Sequence, residues 1–506
     1  MQVVLRMNCI CIMIGEYLFP VVYRILDEFH VDFCVMGYDE VKQPVPPYTD
    51  VVYFKHNEVL YNARYPEVGR LKPLSKELLN ALIDCQVSVM DIMVRLTYDP
   101  KYNFYQHRLE MYTKHVRFWN HILDEKHIDF VLLTVVPHEV YANVIFALCK
   151  LKGIPVFILS TTGIKDNLIW IDSIDEPSLE LKQRYEFVRN DPTMAIESNI
   201  TLPPSLESYY QEQIDKSHDP VPFYYTIGIK EIEEAPTLLD NYKSRIKRIP
   251  TSLRNPTYLR ETILSTVKKI IDGDLWKLPR TILRYRYTNI YEKKLFQYYE
   301  KLTIKPDFSK KYIYLPLHYQ PEATTMPLAG PFANQILIAE FLSYFLPEDV
   351  LLYVKEHRGQ QLKCRDLNYY KQLNQIPNVK LISRYENSFK LIENCLAVAT
   401  CTGTPGIEAL FRGKPVLVFG KVFYQYANGV FQINNYQDIV NALDQILNQG
   451  VKPTLLDIRQ FLKALEFVSV EGYLERLFRL VSKVPEEQNV KTISEAYINK
   501  IRSAIQ

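Results

Sequence analysis

The clearest chemical signal in the sequence is the segment TCTGTPGIEAL, which follows an apolar run. Thr402, Gly403 and Thr404 predict a tight turn that leads into a helix. Amide N–H groups at a helix N-terminus, together with two hydroxyls, can bind a phosphate. Gly406 would let the backbone approach such a ligand closely. The alternative is a plain capped helix without a ligand.

Glu408 lies in the first turn of the same predicted helix. A carboxylate there suits the helix dipole and could also accept a sugar hydroxyl. The glycine spacing of the segment matches neither G-x-G-x-x-G nor a P-loop, so the pattern does not support binding of a dinucleotide or ATP.

A second polar segment follows the apolar run at 350–354 and contains Lys355, Glu356 and His357. Titratable side chains at a strand end are costly to bury without a partner. A phosphate is the natural ligand for Lys355 and His357. Glu356 would be an ion-pair partner or a hydroxyl acceptor. A solvated loop is the alternative.

The third polar segment carries His318, Gln320 and Glu322 after a buried-type strand. Their mixed donors and acceptors could hold a hydroxylated, anionic ligand, and a helix-capping loop is the alternative. A fourth segment, in the first half of the chain, carries His138 and Glu139 after an apolar run. These two residues could form an acid/base pair or accept hydrogen bonds from a substrate, unless they only cap a helix.

Strands and helices alternate around all four segments. In the second half the predicted strands lie at 312–317, 350–355, 379–382, 396–400 and 415–419. In the first half they lie at 3–14, 31–36, 128–136 and 154–159. Such alternation predicts parallel, doubly wound sheets, in which ligands bind beyond the carboxyl ends of the strands. The predicted fold class is therefore α/β, with two Rossmann-like domains facing each other across a cleft.

The length of 506 residues agrees with two domains and connecting elements. We predict an N-terminal Rossmann-like domain, a basic helical connector, a C-terminal Rossmann-like domain and a helical tail, at 1–235, 236–305, 306–435 and 436–506. Lys and Arg number 60 against 58 Asp and Glu, a net charge of +2 that gives no reason to bind nucleic acid. The residues at 242–301 are locally basic and could lie on an anionic membrane surface. A solvated helix face is the alternative.

The cysteines are scattered, and several lie in apolar runs, which predicts buried free thiols in a reducing compartment. Cys9 and Cys11 form C-x-C without a second pair nearby in sequence, so we predict no metal site. The apolar stretch at 7–14 lacks a signal-peptide cleavage pattern, and no run is long enough to span a membrane. We expect a cytoplasmic protein, with peripheral attachment to the inner face of the membrane as an open alternative.

Several of these motifs together resemble the capsule polysaccharide biosynthesis proteins. The motifs are LPLHYQPE, VKEH, TGTPGIEA, GKPV and FG, and they fall within about residues 310–430. That family includes β-Kdo transferases of GT-B architecture. The resemblance implies sugar transfer from a nucleotide-activated donor, CMP-linked Kdo being our best guess, onto a surface polysaccharide or glycolipid. It implies no cofactor and no metal.

The resemblance also implies roles for individual residues. Lys355 and His357 would contact the donor phosphate, and Thr402 and Thr404 would contact the same phosphate. Glu408 would hold the nucleotide ribose.

Gln320 and Glu322 would lie near the donor sugar or base. Arg358 stands where the family usually has proline, which is a departure from its pattern. The first domain offers no clear match to an acidic nucleophile, so Glu139 is our candidate, with Asp39 and Asp91 as weaker ones.

Two other functions agree with the same sequence. A nucleotide-sugar epimerase or a related hydrolase shares the two-domain plan. A non-catalytic polysaccharide-assembly protein could use the basic stretch to dock on a membrane.

Overall fold

The computed structural model describes residues 7–37, 45–96, 104–174, 176–215, 217–221, 290–360 and 364–505. Of the basic stretch predicted at 242–301, residues 242–289 lie outside the described residues. Asp39 also lies outside them. Membrane attachment through that stretch therefore stays a prediction. Among the described helices, none combines the length and the apolar character that a membrane span requires.

The described strands are β1 (Met7–Ile12), β2 (Val31–Gly37), β3 (Asp50–Phe54), β4 (Phe130–Leu133), β5 (Val156–Thr161), β6 (Asn167–Ile171), β7 (Lys311–Pro316), β8 (Val350–Lys355), β9 (Val379–Ile382), β10 (Ala397–Thr400), β11 (Val416–Val418), β12 (Val430–Gln432) and β13 (Ser469–Glu471).

The helices of the first half are α1 (Phe19–Glu28), α2 (His56–Asn62), α3 (Lys76–Ala81), α4 (Ile83–Ile92), α5 (Tyr105–Glu125), α6 (Val140–Lys152), α7 (Leu179–Asn190) and α8 (Pro204–Ile214). Those of the second half are α9 (290–302), α10 (Ile336–Phe345), α11 (Leu367–Gln375), α12 (Ser388–Asn394), α13 (Thr404–Leu410), α14 (Tyr436–Leu443), α15 (Leu455–Val468), α16 (Arg476–Val481) and α17 (Glu486–Ile505).

These strands form two sheets. The first has the order β13-β6-β5-β4-β1-β2-β3, and the second has the order β12-β11-β10-β7-β8-β9. The second sheet is parallel throughout, and in the first only β6 pairs antiparallel with its neighbours. The strand order reverses between β1 and β4 in one sheet and between β7 and β10 in the other. Ligands of open α/β sheets bind at such switch points.

Helices cover both faces of the first sheet. On one face, Trp119 of α5 and Tyr141 of α6 are fully buried against strand residues such as Ile10. On the other face, Val22 of α1 and Tyr497 of α17 pack together with the alternate residues of the same strands. The strands are apolar on both faces because both faces are buried, as the continuous apolar runs in the sequence predict.

The C-terminal segment differs from the helical tail that the sequence predicts. After α15, residues Ser469–Glu471 add strand β13 to the first sheet, antiparallel to β6. Helix α17 then packs on α1 through Val490, Ile493 and Ile501, which recur at helical spacing. The chain therefore returns to its first domain. A three-residue edge strand carries too short a pattern to be recognised in the sequence.

Helices α7, α8 and α15 share one hydrophobic cluster with Tyr312 and Val416 of the second sheet. Polar contacts lie in the same region, where Arg459 of α15 forms an ion pair with Glu207 of α8, with Nη2 2.6 Å from Oε2. The Asn428 amide N–H donates to the Tyr185 hydroxyl. Met326, in the loop after β7, packs against the core of the first domain. The carboxyl edge of the second sheet therefore approaches the first domain, and the predicted pair of Rossmann-like domains is confirmed.

Tyr497→Ala tests whether α17 belongs to the first domain. The variant loses a buried ring and the hydroxyl that donates to Leu133 O at 2.6 Å. We expect a loss of about 3–5 kcal/mol in the free energy of unfolding, the usual cost of truncating a buried aromatic side chain. Chemical denaturation measures it, with the more exposed Ile505→Ala as control. Equal stability of the two variants would contradict the assignment.

Candidate functional site

His318 holds the loops after β7 and β10 together at the switch point of the second sheet. Its Nε2 accepts a hydrogen bond from the Thr402 amide at 3.2 Å and lies 3.2 Å from the Thr400 hydroxyl. The Thr400 Oγ1 accepts the Gly403 N–H, so its own hydrogen is available for His318. The His318 ring therefore closes a turn that lies more than eighty residues later in the sequence.

The His318 ring is neutral. Burial, followed by the nearby His357 and Arg365, lowers the pKa of His318 to about 3. Because Nε2 accepts, the ring proton lies on Nδ1, which is buried and has no hydrogen-bond partner among the described residues. The geometry makes His318 a support for the turn, and its direct contact with a donor sugar stays a prediction.

The glycines of the turn are required by protein side chains. A Cβ atom on Gly403 would lie 2.7 Å from His318 Nε2. One on Gly406 would overlap the hydroxyl of Tyr424, which itself donates to Gly403 O. The close approach expected at Gly406 is therefore that of Tyr424, and no ligand is needed to explain this glycine.

The two threonines of the turn differ in their contacts. The Thr402 hydroxyl donates to Thr324 O at 2.8 Å, which ties the turn to the loop after β7. The Thr404 hydroxyl is hydrogen-bonded to the Glu408 side chain one helical turn further on. Phosphate contacts of both hydroxyls stay predictions, and that of Thr402 would require its hydroxyl to leave Thr324.

Half-buried Lys355 and buried Glu408 are groups of opposite charge at the carboxyl edge of the second sheet. The Lys355 Nζ donates to Ser388 Oγ at 2.5 Å. Burial lowers the pKa of Lys355 to about 8, while the carboxylates of Glu386 and Glu408 oppose the shift. Burial raises the pKa of Glu408 to about 7, against the hydrogen bond of Thr404. Both groups therefore titrate near neutral pH.

His357 presents a hydrogen-bond donor. Its Nδ1 accepts the Gly359 N–H at 3.1 Å, which leaves the ring proton on Nε2. Burial, followed by the charges of Arg365 and Lys355, lowers the pKa of His357 to about 4. The ring stands edge-on to Tyr319, with 5.7 Å between centroids. At neutral pH it is an uncharged donor.

A buried ion pair lies beneath this edge. Arg365 and Glu356 form it, and both side chains are completely buried. The Tyr370 hydroxyl donates to Glu356 Oε2 at 2.5 Å, and Arg365 donates to Gln320 Oε1 at 3.1 Å and to His318 O at 2.6 Å. Of the two roles foreseen for Glu356, the ion pair forms with Arg365, and the hydroxyl that the carboxylate accepts is that of Tyr370. Gln320 also belongs to this support, so contact of either residue with a donor stays a prediction.

Arg365 was not identified from the sequence. The available signal was Glu356 itself, because a carboxylate beside a buried strand requires a base.

Glu322 lies towards the domain boundary. Its Oε2 accepts the Thr324 hydroxyl at 2.7 Å. Burial, and then the charge of Glu322, raise the pKa of Glu475, which precedes α16. No sequence pattern selects Glu475, which reaches this boundary because the tail returns to the first domain.

His138 and Glu139 follow β4 at the switch point of the first sheet. His138 Nδ1 lies 2.8 Å from Val136 O and donates to it. Glu139 Oε1 is 3.4 Å from His56 Nε2, and His56 Nδ1 is 3.0 Å from the Tyr141 hydroxyl. Glu139 Oε2 is buried and has no hydrogen-bond partner among the described residues. His56 was missed because a single histidine at a helix start forms no pattern.

The second-sheet geometry thus gathers Lys355, His357 and Glu408 around a turn held by His318. Comparison with protein families identifies the segment that carries most of it. Residues 331–442 match the family model of capsule polysaccharide biosynthesis proteins. The resemblance inferred from the motifs is confirmed over this segment, which begins after His318.

Comparison with solved structures finds distant similarity along the chain. A beta Kdo 2,7 transferase, KpsC of Thermosulfurimonas dismutans, is 11% identical, with 97% of this chain and 99% of that chain covered and a TM-score of 0.32. KpsC beta Kdo 2,4 transferase of the same organism is 12% identical, with 68% and 82% covered and a TM-score of 0.28. The UDP-GlcNAc 2-epimerase of Methanocaldococcus jannaschii is 12% identical, with 92% and 98% covered and a TM-score of 0.25. A comparison with curated proteins found no match.

Glu408→Gln tests the buried carboxyl. In the folded protein Glu408 keeps its proton up to about pH 7, whereas the ordinary pKa is 4.5. The folded state therefore binds more protons between these values, and its stability falls as the pH rises through that window. We expect the Tm of the wild type to fall relative to that of Glu408→Gln across the window. Thermal unfolding at a series of pH values measures this difference.

Glu393→Gln is the control, because Glu393 is exposed on α12. Its Tm should follow the wild type at every pH. A constant difference in Tm between wild type and Glu408→Gln across the window would contradict the raised pKa.

Proposed function

We propose that this chain is a glycosyltransferase of capsule polysaccharide synthesis, which moves a sugar from a nucleotide-activated donor to a glycan or glycolipid acceptor. The observation that carries the proposal is the group of Lys355, His357 and Glu408 at the β7/β10 switch point, inside the segment that matches the capsule family. Of the two Rossmann-like domains, one would bind the donor and the other would bind the acceptor.

In this proposal the second domain binds the donor phosphate. Lys355 supplies a positive charge, His357 Nε2–H supplies a neutral donor, and Thr404 lies at the adjoining turn. Glu408 accepts a ribose hydroxyl. The proposed donor is a CMP-linked sugar such as Kdo, which rests on the resemblance of the motifs to the capsule family.

The first domain binds the acceptor. The bond between the sugar's anomeric carbon and the phosphate oxygen breaks, and the acceptor hydroxyl supplies the new oxygen. Glu139 takes the hydroxyl proton through its buried Oε2, and His56 orients the carboxylate from the other oxygen. His138 is the second candidate for proton transfer. Lys355 and His357 stabilise the leaving phosphate, so the proposal invokes no metal in the reaction.

The acceptor of such a reaction is built at the cytoplasmic face of a membrane. We propose peripheral attachment there through the basic stretch at 242–301, where each Lys or Arg near an anionic surface contributes about 1 kcal/mol. The expected result is sedimentation with anionic vesicles and not with neutral ones. Equal sedimentation with both, or with neither, would contradict the attachment.

His357→Ala tests the donor site. We expect transfer from CMP-Kdo to fall by about a hundredfold or more, because one preorganised hydrogen-bond donor to the leaving group is lost. The Tm should stay close to that of the wild type, since the ring lies in a loop after β8. Product analysis by mass spectrometry, with and without a glycolipid acceptor, measures turnover.

The matched control is His218→Ala, because His218 is an exposed histidine that contacts Asp215 and Ser217. It should retain wild-type turnover. Unchanged transfer in purified His357→Ala would overturn the donor site. If the donor were converted to its epimer in the absence of an acceptor, the activity would be epimerisation and not transfer.

A further inference from the structure

Three cysteine side chains converge in the core of the first domain. Cys9 and Cys11 are two residues apart on β1 and so point to the same face, while Cys34 pairs with Cys9 on the neighbouring strand β2. All three thiols are buried, with at most 2% of each residue exposed. The C-x-C motif lacked a partner in the sequence because the third cysteine comes from another strand.

The sulfur atoms lie closer together than the strand geometry requires. Side chains at alternate positions of a strand begin about 7 Å apart. Cys9 Sγ is nevertheless 3.9 Å from Cys11 Sγ and 3.5 Å from Cys34 Sγ, and the three sulfurs lie within 4.8 Å of one another. The three side chains therefore turn towards a common point.

This spacing matches a three-coordinate thiolate site. Three sulfurs bound to one ion at about 2.3 Å, the length of a zinc–thiolate bond, are separated by about 4 Å when the ion lies in their plane. Two of the Sγ separations, 3.9 and 3.5 Å, lie just below that value, and the third is at most 4.8 Å.

The surroundings provide three sulfur ligands and an apolar shell. Within the described part of the chain, the metal-ligating group consists of these three cysteines. Val22, Leu26 and Phe130 belong to the apolar cluster around them. The nearby Tyr497 hydroxyl is directed to Leu133 O. A structural zinc ion requires four ligands, whereas thiolates with no oxygen or nitrogen ligand select a soft ion.

The thiols also share one hydrogen-bonded system. The Cys9 thiol donates to Cys34 Sγ at 3.5 Å, and the Cys34 thiol donates to Val35 O at 3.8 Å. A cation at the common point would replace these thiol protons.

We propose that Cys9, Cys11 and Cys34 form a binding site for one copper(I) ion in the core of the first domain. The copper binds as Cu(I), so no oxidation or reduction accompanies binding, and the displaced thiol protons leave to solvent. The ion fastens β1 to β2 and so stabilises the domain. The site lies in the core beneath α1 and takes no part in sugar transfer.

The test is the metal content of the full chain. The protein is expressed in copper-supplemented medium and purified without oxygen and with a thiol-free reductant, and copper and zinc are then counted by mass spectrometry. We expect about one copper per chain in the wild type and in Cys149→Ala, whose buried cysteine lies elsewhere. Cys34→Ala and Cys11→Ala should each lose most of this copper.

X-ray absorption of the wild type should show three sulfur neighbours around copper, with no nitrogen or oxygen. This measurement keeps the proposal testable if a variant fails to fold. Absence of copper from the wild type, its retention in Cys34→Ala, or one zinc per chain in its place would each overturn the copper(I) site.

Discussion

The hydrogen bond between the Thr402 amide and His318 Nε2 is the contact on which the second-domain edge depends. It joins the first and fourth strands of that domain at the point where the sheet reverses its order. A neutral ring can accept there only because burial keeps it unprotonated. With the turn fixed, the helix that carries Glu408 begins at a defined place beside Lys355. Arg365 donates to the His318 carbonyl and Gln335 accepts from the His318 amide, so both hold the loop that carries the ring.

The first domain repeats the same principle with different residues. The Thr134 hydroxyl donates to Met13 O, so the loops after β4 and β1 are also tied together at their switch point. Glu139 follows in the same loop and keeps one carboxylate oxygen without a protein partner among the described residues. Each sheet thus has a polar loop held at its point of reversal. The loop after β7 reaches the other domain through Met326.

The sequence predicted the strands of the second sheet well, because buried parallel strands are continuous apolar runs and helices separate them. It did not predict β12 and β13, whose three residues are too few to show a pattern. It also selected polar segments that the structure places directly after the strands, since polar residues in that position are unusual. The sequence could not distinguish residues that would contact a ligand from residues that hold the surrounding loops in place. His318, Gln320 and Glu356 have the residue types of ligand contacts, yet their polar atoms are bound to Thr402, Arg365 and Tyr370.

The missing information has one physical origin. Arg365, His56 and Cys34 acquire their roles from strands and loops that are distant in sequence, and no local spacing records such a pairing. The burial that shifts the pKa values of Lys355 and Glu408 likewise belongs to the assembled edge. Local sequence therefore predicts where a site lies better than it predicts which of its residues face the ligand.

We propose that the edge around His357 and Lys355 binds the phosphate of a nucleotide. Calorimetric titration of the full chain with CMP measures this binding, with His357→Ala and the surface variant His218→Ala in parallel. We expect saturable binding at one site in the wild type and in His218→Ala, and affinity at least about tenfold weaker in His357→Ala, since one charge-assisted hydrogen bond is lost. Equal affinity in all three proteins, or no binding to the wild type, would contradict it.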